Sequence, residues 1–282
     1  MGGHFLQLRD QGCQGAWKIF TRAREVCQSA PPADKAEDSL SVALSIASGR
    51  EDAMETWGKS IALAGCVQTD NLLQADIIVG EGIPQEELLR MSGRGNSPTI
   101  INGGNETASP CRVLGDLLAL TRKYGHDADR IDRIRISWIG NASGEFAGLA
   151  DSWLESCLCF RHEFFMSFPP GGELRSGLLD FAMSAGGKIF LSHDPEVAVD
   201  GAHGVVLVPW RADDSSLSPR HPLLMEGAVR EKARSELGEA LLFSFLPDVN
   251  PTAWEEERRT CLIACQAALL EYMAALRKHS AA

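Results

Sequence analysis

The sequence predicts an α/β protein of two doubly wound parallel-sheet domains, and three observations carry that expectation. Short apolar runs of strand type alternate with segments of helical period along the chain, an order that calls for parallel strands joined by crossovers. Two strands leave through glycine-rich turns directly into helices, at Asn102-Gly103-Gly104-Asn105 and at Gly140-Asn141-Ala142-Ser143-Gly144. A polar stretch, HDADRID at His126 to Asp132, separates these two strand-turn-helix units and marks the domain boundary. The first domain is therefore expected over 1–125 and the second over 133–250.

Composition narrows the function classes. With 282 residues, 44% of them hydrophobic, the chain can bury the cores of one large or two medium domains. Lys plus Arg number 27 against 38 for Asp plus Glu, a net charge of −11, which disfavours a phosphate-tracking surface and hence a nucleic-acid partner. No apolar run approaches the length of a bilayer span, and MGGHFLQLRDQG has no basic segment followed by an apolar one, so no membrane partner and a cytoplasmic location are expected. The eight cysteines fall mostly inside apolar patterns without a paired Cys-X-X-Cys ladder. Core thiols fit that distribution better than disulfides or zinc ligands, and no metal or cofactor is expected.

In the first domain, Trp17, Phe20, Ala23 and Val26 recur at helical spacing over 15–27, and the Pro-started polar stretch 31–38 reads as a linker. LSVALSI at 40–46 alternates as a strand and passes through Ala47-Ser48-Gly49-Arg50 into a helix bearing Met54, Trp57, Ile61 and Ala64. A strand, a small-residue turn and a helix N-terminus together form an anion cradle. Glu51 and Asp52 in the first turn suit the helix dipole yet oppose a bound phosphate. ADIIV at 75–79 is the next strand, leaving through Gly80-Glu81, and 84–91 is a helix started by Pro84. The β-branched run 99–101 precedes the first glycine turn; Ser109 stands at an N-cap position and Pro110 at the first helical one. Val113, Leu114, Leu117, Leu118 and Thr121 then form one helical face, stopped by Gly125.

The second domain repeats the pattern. RIRISWI at 133–139 is an alternating strand, and Phe146, Leu149, Ala150, Trp153, Leu154 and Leu158 mark the helix after its turn. The turn lacks Gly-X-Gly-X-X-Gly spacing, which leaves a nucleotide-binding reading resting on glycine turns alone. Strands follow at 163–168, from Lys188, at 204–208 and at 240–246, with helices at 174–185 and 227–237. His193-Asp194-Pro195 reads as a helix cap. A final helix, 254–278, carries Cys261, Leu262, Cys265, Leu269, Tyr272, Met273 and Leu276 on one side.

The run Ile101-Asn102-Gly103, then Ser109-Pro110-Cys111-Arg112, then Leu114-Gly115-Asp116-Leu117 resembles the aspartate/ornithine carbamoyltransferase family, as does KIFLSHDPEVAVDGAHGVVLVPW at 188–210. The resemblance implies a carbamoyl-phosphate-type domain over 1–125, an amino-acid-type domain over 133–250, a helix 254–278 that packs back on the first, and a homotrimer. It also implies where chemistry should sit. An anion site would comprise Ser48, Gly49, Arg50, Ser109 and Arg112, and the amino-acid side would draw on Asn141, His193, Arg220, Leu246 and Pro247.

Several chemical residues of the family are replaced. Its Ser-Thr-Arg-Thr-Arg turn stands here as Ser48-Gly49-Arg50-Glu51-Asp52, and its His-Pro-X-Gln as Ser109-Pro110-Cys111-Arg112. The arginine it places at a strand exit is replaced by Gly80-Glu81, and its His-Cys-Leu-Pro reads Ser244-Phe245-Leu246-Pro247. The long segment that reaches a neighbouring active site has no counterpart between Cys66 and Gln74. These departures favour a paralogue from amino-acid metabolism that lacks ordinary carbamoyl phosphate transfer and binds a small anionic or amino-acid ligand or a protein partner. The alternative is an active transferase of a carbamoyl or related one-carbon group, with an anion site rebuilt on Arg50 and Arg112.

Overall fold

The apolar run at Ser41–Ile46 forms β1, an inner strand of a four-stranded parallel sheet whose order is β2-β1-β3-β4, with β2 at Val67–Thr69, β3 at Ile77–Glu81 and β4 at Thr99–Gly104. The computed structural model describes residues 3–28, 39–92, 98–124, 128–169, 172, 174–209, 234–235, 238–239, 241–244 and 254–281. By contacts the chain divides into two units, Met1–Leu118 with Glu256–Ala282, and Ala119–Glu255.

In the first unit, helices α1 (Gly12–Gln28), α2 (Glu51–Leu63), α3 (Gln85–Ser92) and α4 (from Pro110, running to Lys123) accompany the sheet. The residue pairing brings Ile46 opposite Glu81 and Glu81 opposite Gly104, so three strand exits lie side by side. Phe5 adds a parallel bridge to Ile101 at the sheet edge and is fully buried. Two features depart from the sequence reading. The connection after α2 contains the short strand β2, and β3 starts at Ile77 and runs on to Glu81. The cause is sheet pairing: Ser41–Ala43 offers a free edge to Val67–Thr69, which local propensity does not register.

The last helix, α8 (Glu255–Ala281), is buried along Cys261, Ala264, Cys265, Gln266, Ala267, Ala268, Leu269, Leu270 and Met273. Arg258 donates from Nε and Nη2 to the two carboxylate oxygens of Asp116 at 2.6 and 3.0 Å, both residues being buried. Gly115 lets the helices approach, since a Cβ there would stand 2.9 Å from the Leu262 Cα. By length and composition alone α8 could cross a membrane, which corrects the expectation that no run approaches that length. Half of that window is buried within the protein, and buried Arg258 and Gln266 on it find polar partners in the first unit, the pattern of a core helix.

The second unit carries a five-stranded parallel sheet of order β11-β8-β5-β6-β7, with β5 at Arg135–Ile139, β6 at Glu163–Ser167, β7 at Lys188–Ser192, β8 at Gly204–Leu207 and β11 at Leu241–Ser244. Helices α5 (Ala147–Phe160), α6 (Ser176–Ser184) and α7 (Pro195–Val199) follow their strands. Trp153 of α5 stacks on Phe164 of β6 with centroids 6.1 Å apart. The helix expected over 227–237 is corrected at its C-terminal end, where Arg234–Ser235 (β9) pairs antiparallel with Gly238–Glu239 (β10). Ser235 and Gly238 are poor helix-interior residues, and a hairpin uses them better. The rest of that stretch lies outside the described residues.

Candidate functional site

The first unit gathers its polar chemistry where β1, β3 and β4 end. After Ile46 the chain turns through Ala47, Ser48 and Gly49, whose φ of +79° suits glycine, and α2 begins after Arg50. The Ala47 N–H donates to the Glu81 carbonyl at 2.9 Å, and the Gly82 N–H donates to the Gly104 carbonyl at 2.7 Å, tying the three exits together. Ser48, Gly49 and Arg50 lie exposed on the rim.

Glu81 occupies the middle of this arrangement. Its Oε2 accepts from the indole N–H of fully buried Trp57 at 2.7 Å, and its Oε1 stands 3.7 Å from an Arg50 Nη. Burial pushes the Glu81 carboxyl above its usual range; the Trp57 hydrogen bond and the charges of Arg112 and Arg50 pull the other way, and Asp52 adds to the rise. Two glycines make the room. A Cβ at Gly103 would meet Glu81 Oε2 at 2.9 Å and Trp57 Nε1 at 3.1 Å, and one at Gly82 would meet Arg50 Nε at 2.9 Å. Arg50 and Arg112, expected to hold an anion together, thus both act on a carboxylate that the chain itself supplies.

Asn102 and Asn105 build the approach to α4. The Asn102 amide donates to the Leu6 carbonyl at 3.0 Å, and its Oδ1 accepts from the Gly104 N–H at 3.0 Å. Asn105 Oδ1 accepts from the N–H groups of Thr107 and Ala108. Ser109 follows, its Oγ 3.4 Å from where a Gly104 Cβ would be, and its carbonyl accepts from the Val113 N–H at 3.3 Å. Arg112 is half-buried in the first turn of α4.

In the second unit the candidates sit at the carboxyl ends of β5 and β7. Asn141 is buried, and its Oδ1 accepts from the N–H and hydroxyl of Ser143 at 2.9 and 2.7 Å. Gly140 precedes it at φ +125°, where a Cβ would fall 2.2 Å from the Val208 carbonyl oxygen. His193 is exposed; its Nδ1 lies 3.2 Å from the Phe168 carbonyl, and Asp194 caps α7 by accepting from the Glu196 N–H at 2.9 Å. Arg220, Leu246 and Pro247 lie outside the described residues. His203 locks backbone to backbone, with its N–H donating to the Arg135 carbonyl at 2.8 Å and its Nδ1 accepting from the Arg135 N–H at 3.1 Å.

Sequence reasoning missed the occupancy by Glu81 and the part of Trp57, which reads as plain core on its helix. The available signal was a carboxylate closing an apolar strand, IIVGE, together with an indole N–H that needs a partner once buried. Among the described residues no group of three or more His, Cys, Asp and Glu stands close enough to hold a metal ion.

Fold and site together define a two-unit α/β protein in which Glu81, Trp57 and Arg50 gather where the strands of a parallel sheet end. The ornithine carbamoyltransferase of Oleidesulfovibrio alaskensis is 33% identical over 229 residues, spanning 74% of this chain and 73% of that protein. The ornithine carbamoyltransferase of Nitratidesulfovibrio vulgaris is 29% identical over 230 residues, with the same shares covered. Among solved structures, the anabolic ornithine carbamoyltransferase from Campylobacter jejuni superposes with a TM-score of 0.76 at 18% identity, over 96% of this chain and 99% of that one. The catalytic subunit of M. jannaschii aspartate transcarbamoylase gives 0.72 at 16% identity, over 98% and 99%. No family model matches the chain. The chain belongs to the aspartate/ornithine carbamoyltransferase family, and its fold is that family's two-domain fold.

Proposed function

We propose that this carbamoyltransferase-family protein does not perform ordinary carbamoyl phosphate transfer and acts as a ligand-binding or structural paralogue within a homotrimer. The observation that carries this reading is the Glu81 carboxylate, bonded by Trp57 at 2.7 Å and paired with Arg50 at 3.7 Å where a phosphate would be gripped. A carboxylate about 4 Å from a phosphate oxygen costs on the order of 4 kcal/mol per unit charge at an effective dielectric of about 20, which cancels the contribution of one arginine. The donors that would stabilise a carbamoyl oxygen are also replaced, and each such donor is worth roughly 3 kcal/mol of barrier. Amino-acid-dependent phosphate release from carbamoyl phosphate is the test. We expect none with ornithine or aspartate, and release that disappears in Arg50→Ala and Arg112→Ala would overturn the reading. Sedimentation as a monomer would remove the homotrimer, which the family resemblance supports.

A second reading has one observation in its favour: the charges of Arg50 and Arg112 reach the same carboxylate. An anionic substrate that displaced Glu81 would find both guanidinium groups ready, the rebuilt anion site of a carbamoyl or one-carbon transferase. Thermal-shift titration separates the two. A rise with carbamoyl phosphate in the wild-type protein, lost in Arg50→Ala, supports the transferase; a rise only in Glu81→Gln supports the paralogue.

A further inference from the structure

Outside the cradle, four thiols come together in the first unit: Cys27 near the end of α1, Cys111 in α4, and Cys261 and Cys265 one turn apart on α8. Helices α1 and α8 run antiparallel along their contact. Near the start of α1, a Cβ at Gly15 would lie 2.9 Å from Tyr272 Oη, and further along Arg22 Nε donates to Glu271 Oε2 at 2.6 Å. From Gly15 to Cys27 the first helix rises about 18 Å, and from Tyr272 back to Cys261 the second rises about 16.5 Å, so the two cysteines arrive at the same level. Their thiols hydrogen-bond one another, and Cys261 Sγ also donates to Glu257 Oε1 at 3.9 Å. None of the eight cysteines is in a disulfide.

We propose that Cys27 and Cys261 are a peroxide-reactive thiol pair that closes into a disulfide joining α1 to α8. The division of labour follows from exposure. Cys27 is half-buried and reachable by a small oxidant, whereas Cys261 is buried, with its thiol held protonated by the Cys27 contact and by burial. Cys27 sulfur attacks hydrogen peroxide, forming an S–O bond as the O–O bond breaks, and water leaves a sulfenic acid behind. Cys261 sulfur then attacks Cys27 sulfur; the S–S bond forms, the S–O bond breaks, and the departing hydroxide takes the Cys261 proton by way of Glu257. One peroxide and two thiols become one disulfide and two waters. Placement of Cys27 in the last turn of α1 lets the backbone adjust to disulfide geometry without disturbing the helix interior. The bond would link an N-terminal helix to the C-terminal one, so its closure restrains the unfolded chain across nearly its whole length.

The experiment treats the full-length protein with hydrogen peroxide, blocks remaining thiols, and maps peptides without reduction. We expect a peptide pair joined through Cys27 and Cys261, reversed by dithiothreitol, and a melting temperature that rises on oxidation. Cys27→Ser and Cys261→Ser should lose both the joined peptide and the rise, while Cys265→Ser and Cys13→Ser keep them. A Cys27–Cys265 pair, or Cys27 carried on to sulfinic acid with Cys261 still free, overturns the assignment. Because Cys261→Ser alters a packed site, Cys27→Ser, which changes a half-buried residue, keeps the test decisive if the former fails to fold.

Discussion

The strand exits of the two units look alike on paper and are used differently. In the first unit, glycines at positions 82 and 103 open space, and the space is filled by Glu81, which Trp57 and Arg50 contact and on which the charge of Arg112 also acts. In the second, Gly140 lets the chain pass the Val208 carbonyl, and the Asn141 oxygen is spent on the backbone and hydroxyl of Ser143. The same strand-glycine-helix device therefore serves a charged cluster in one unit and turn closure in the other. A glycine turn locates a strand end; the residues brought beside it decide what the end can bind.

The sharpest way to break that comparison is to add one methyl group to each turn. Gly140→Ala forces a Cβ to 2.2 Å from a backbone oxygen at φ +125°, and backbone cannot yield as a side chain can. It should cost more than about 3 kcal/mol in urea-unfolding free energy, or prevent folding. Gly103→Ala meets the carboxylate end of Glu81 instead. We expect a loss of only about 1 kcal/mol, with the Trp57 fluorescence changed because its partner moves. Equal costs for the two substitutions would dissolve the contrast.

Acid separates the units by a different route and ranks between those two effects. His162 in the second unit is buried, its Nε2 2.8 Å from Ser156 Oγ and its ring edge-on to Trp153, and burial pushes its pKa down from 6.5 to about 4. The folded state then binds fewer protons than the unfolded state, so this stability is present above 6.5 and is lost as pH falls toward 4. At 1.36 kcal/mol per unit the loss is roughly 3 kcal/mol, read from denaturant midpoints across that range. A His162→Gln protein that kept the same acid slope would assign the loss elsewhere.

Glu81 has the opposite sign and the smallest expected effect. Its folded pKa is raised, chiefly by burial, so its contribution is complete below the unfolded carboxyl range and declines as pH climbs through the folded value. Glu81→Gln should therefore raise the unfolding midpoint at neutral pH, by less than any of the changes above, and leave it unchanged in acid. A fall at neutral pH would mean that the Arg50 and Arg112 charges outweigh the burial cost.

Much of this was readable in advance because it is local. The strand at LSVALSI, the Ser109-Pro110 start of α4 and the Asp194-Pro195 cap each depend on neighbours within a few residues, and these elements form where the pattern indicates, although the strand buries adjacent Val42 and Ala43 and not every second residue. Strand β2 and the hairpin of β9 and β10 were not readable, since short pairs are stabilised by a partner more than by their own propensity. Even the Asp116 of the Leu-Gly-Asp-Leu motif shows only half its meaning in sequence, for its partner Arg258 lies 142 residues away.

By itself, the sequence determined the alternation of strands and helices and the turns that end them, because backbone preference and hydrophobic period act over one or two turns of chain, while its motifs carried the family resemblance. Only the tertiary structure decided that the cradle encloses Glu81. That outcome depends on the order β1-β3-β4, which sets Ile46 beside Glu81 and Glu81 beside Gly104, and on Trp57 reaching across from α2 with a buried N–H to satisfy. Desolvation and the charges of two arginines meet at one carboxyl group, and that sum exists only once the chain has folded.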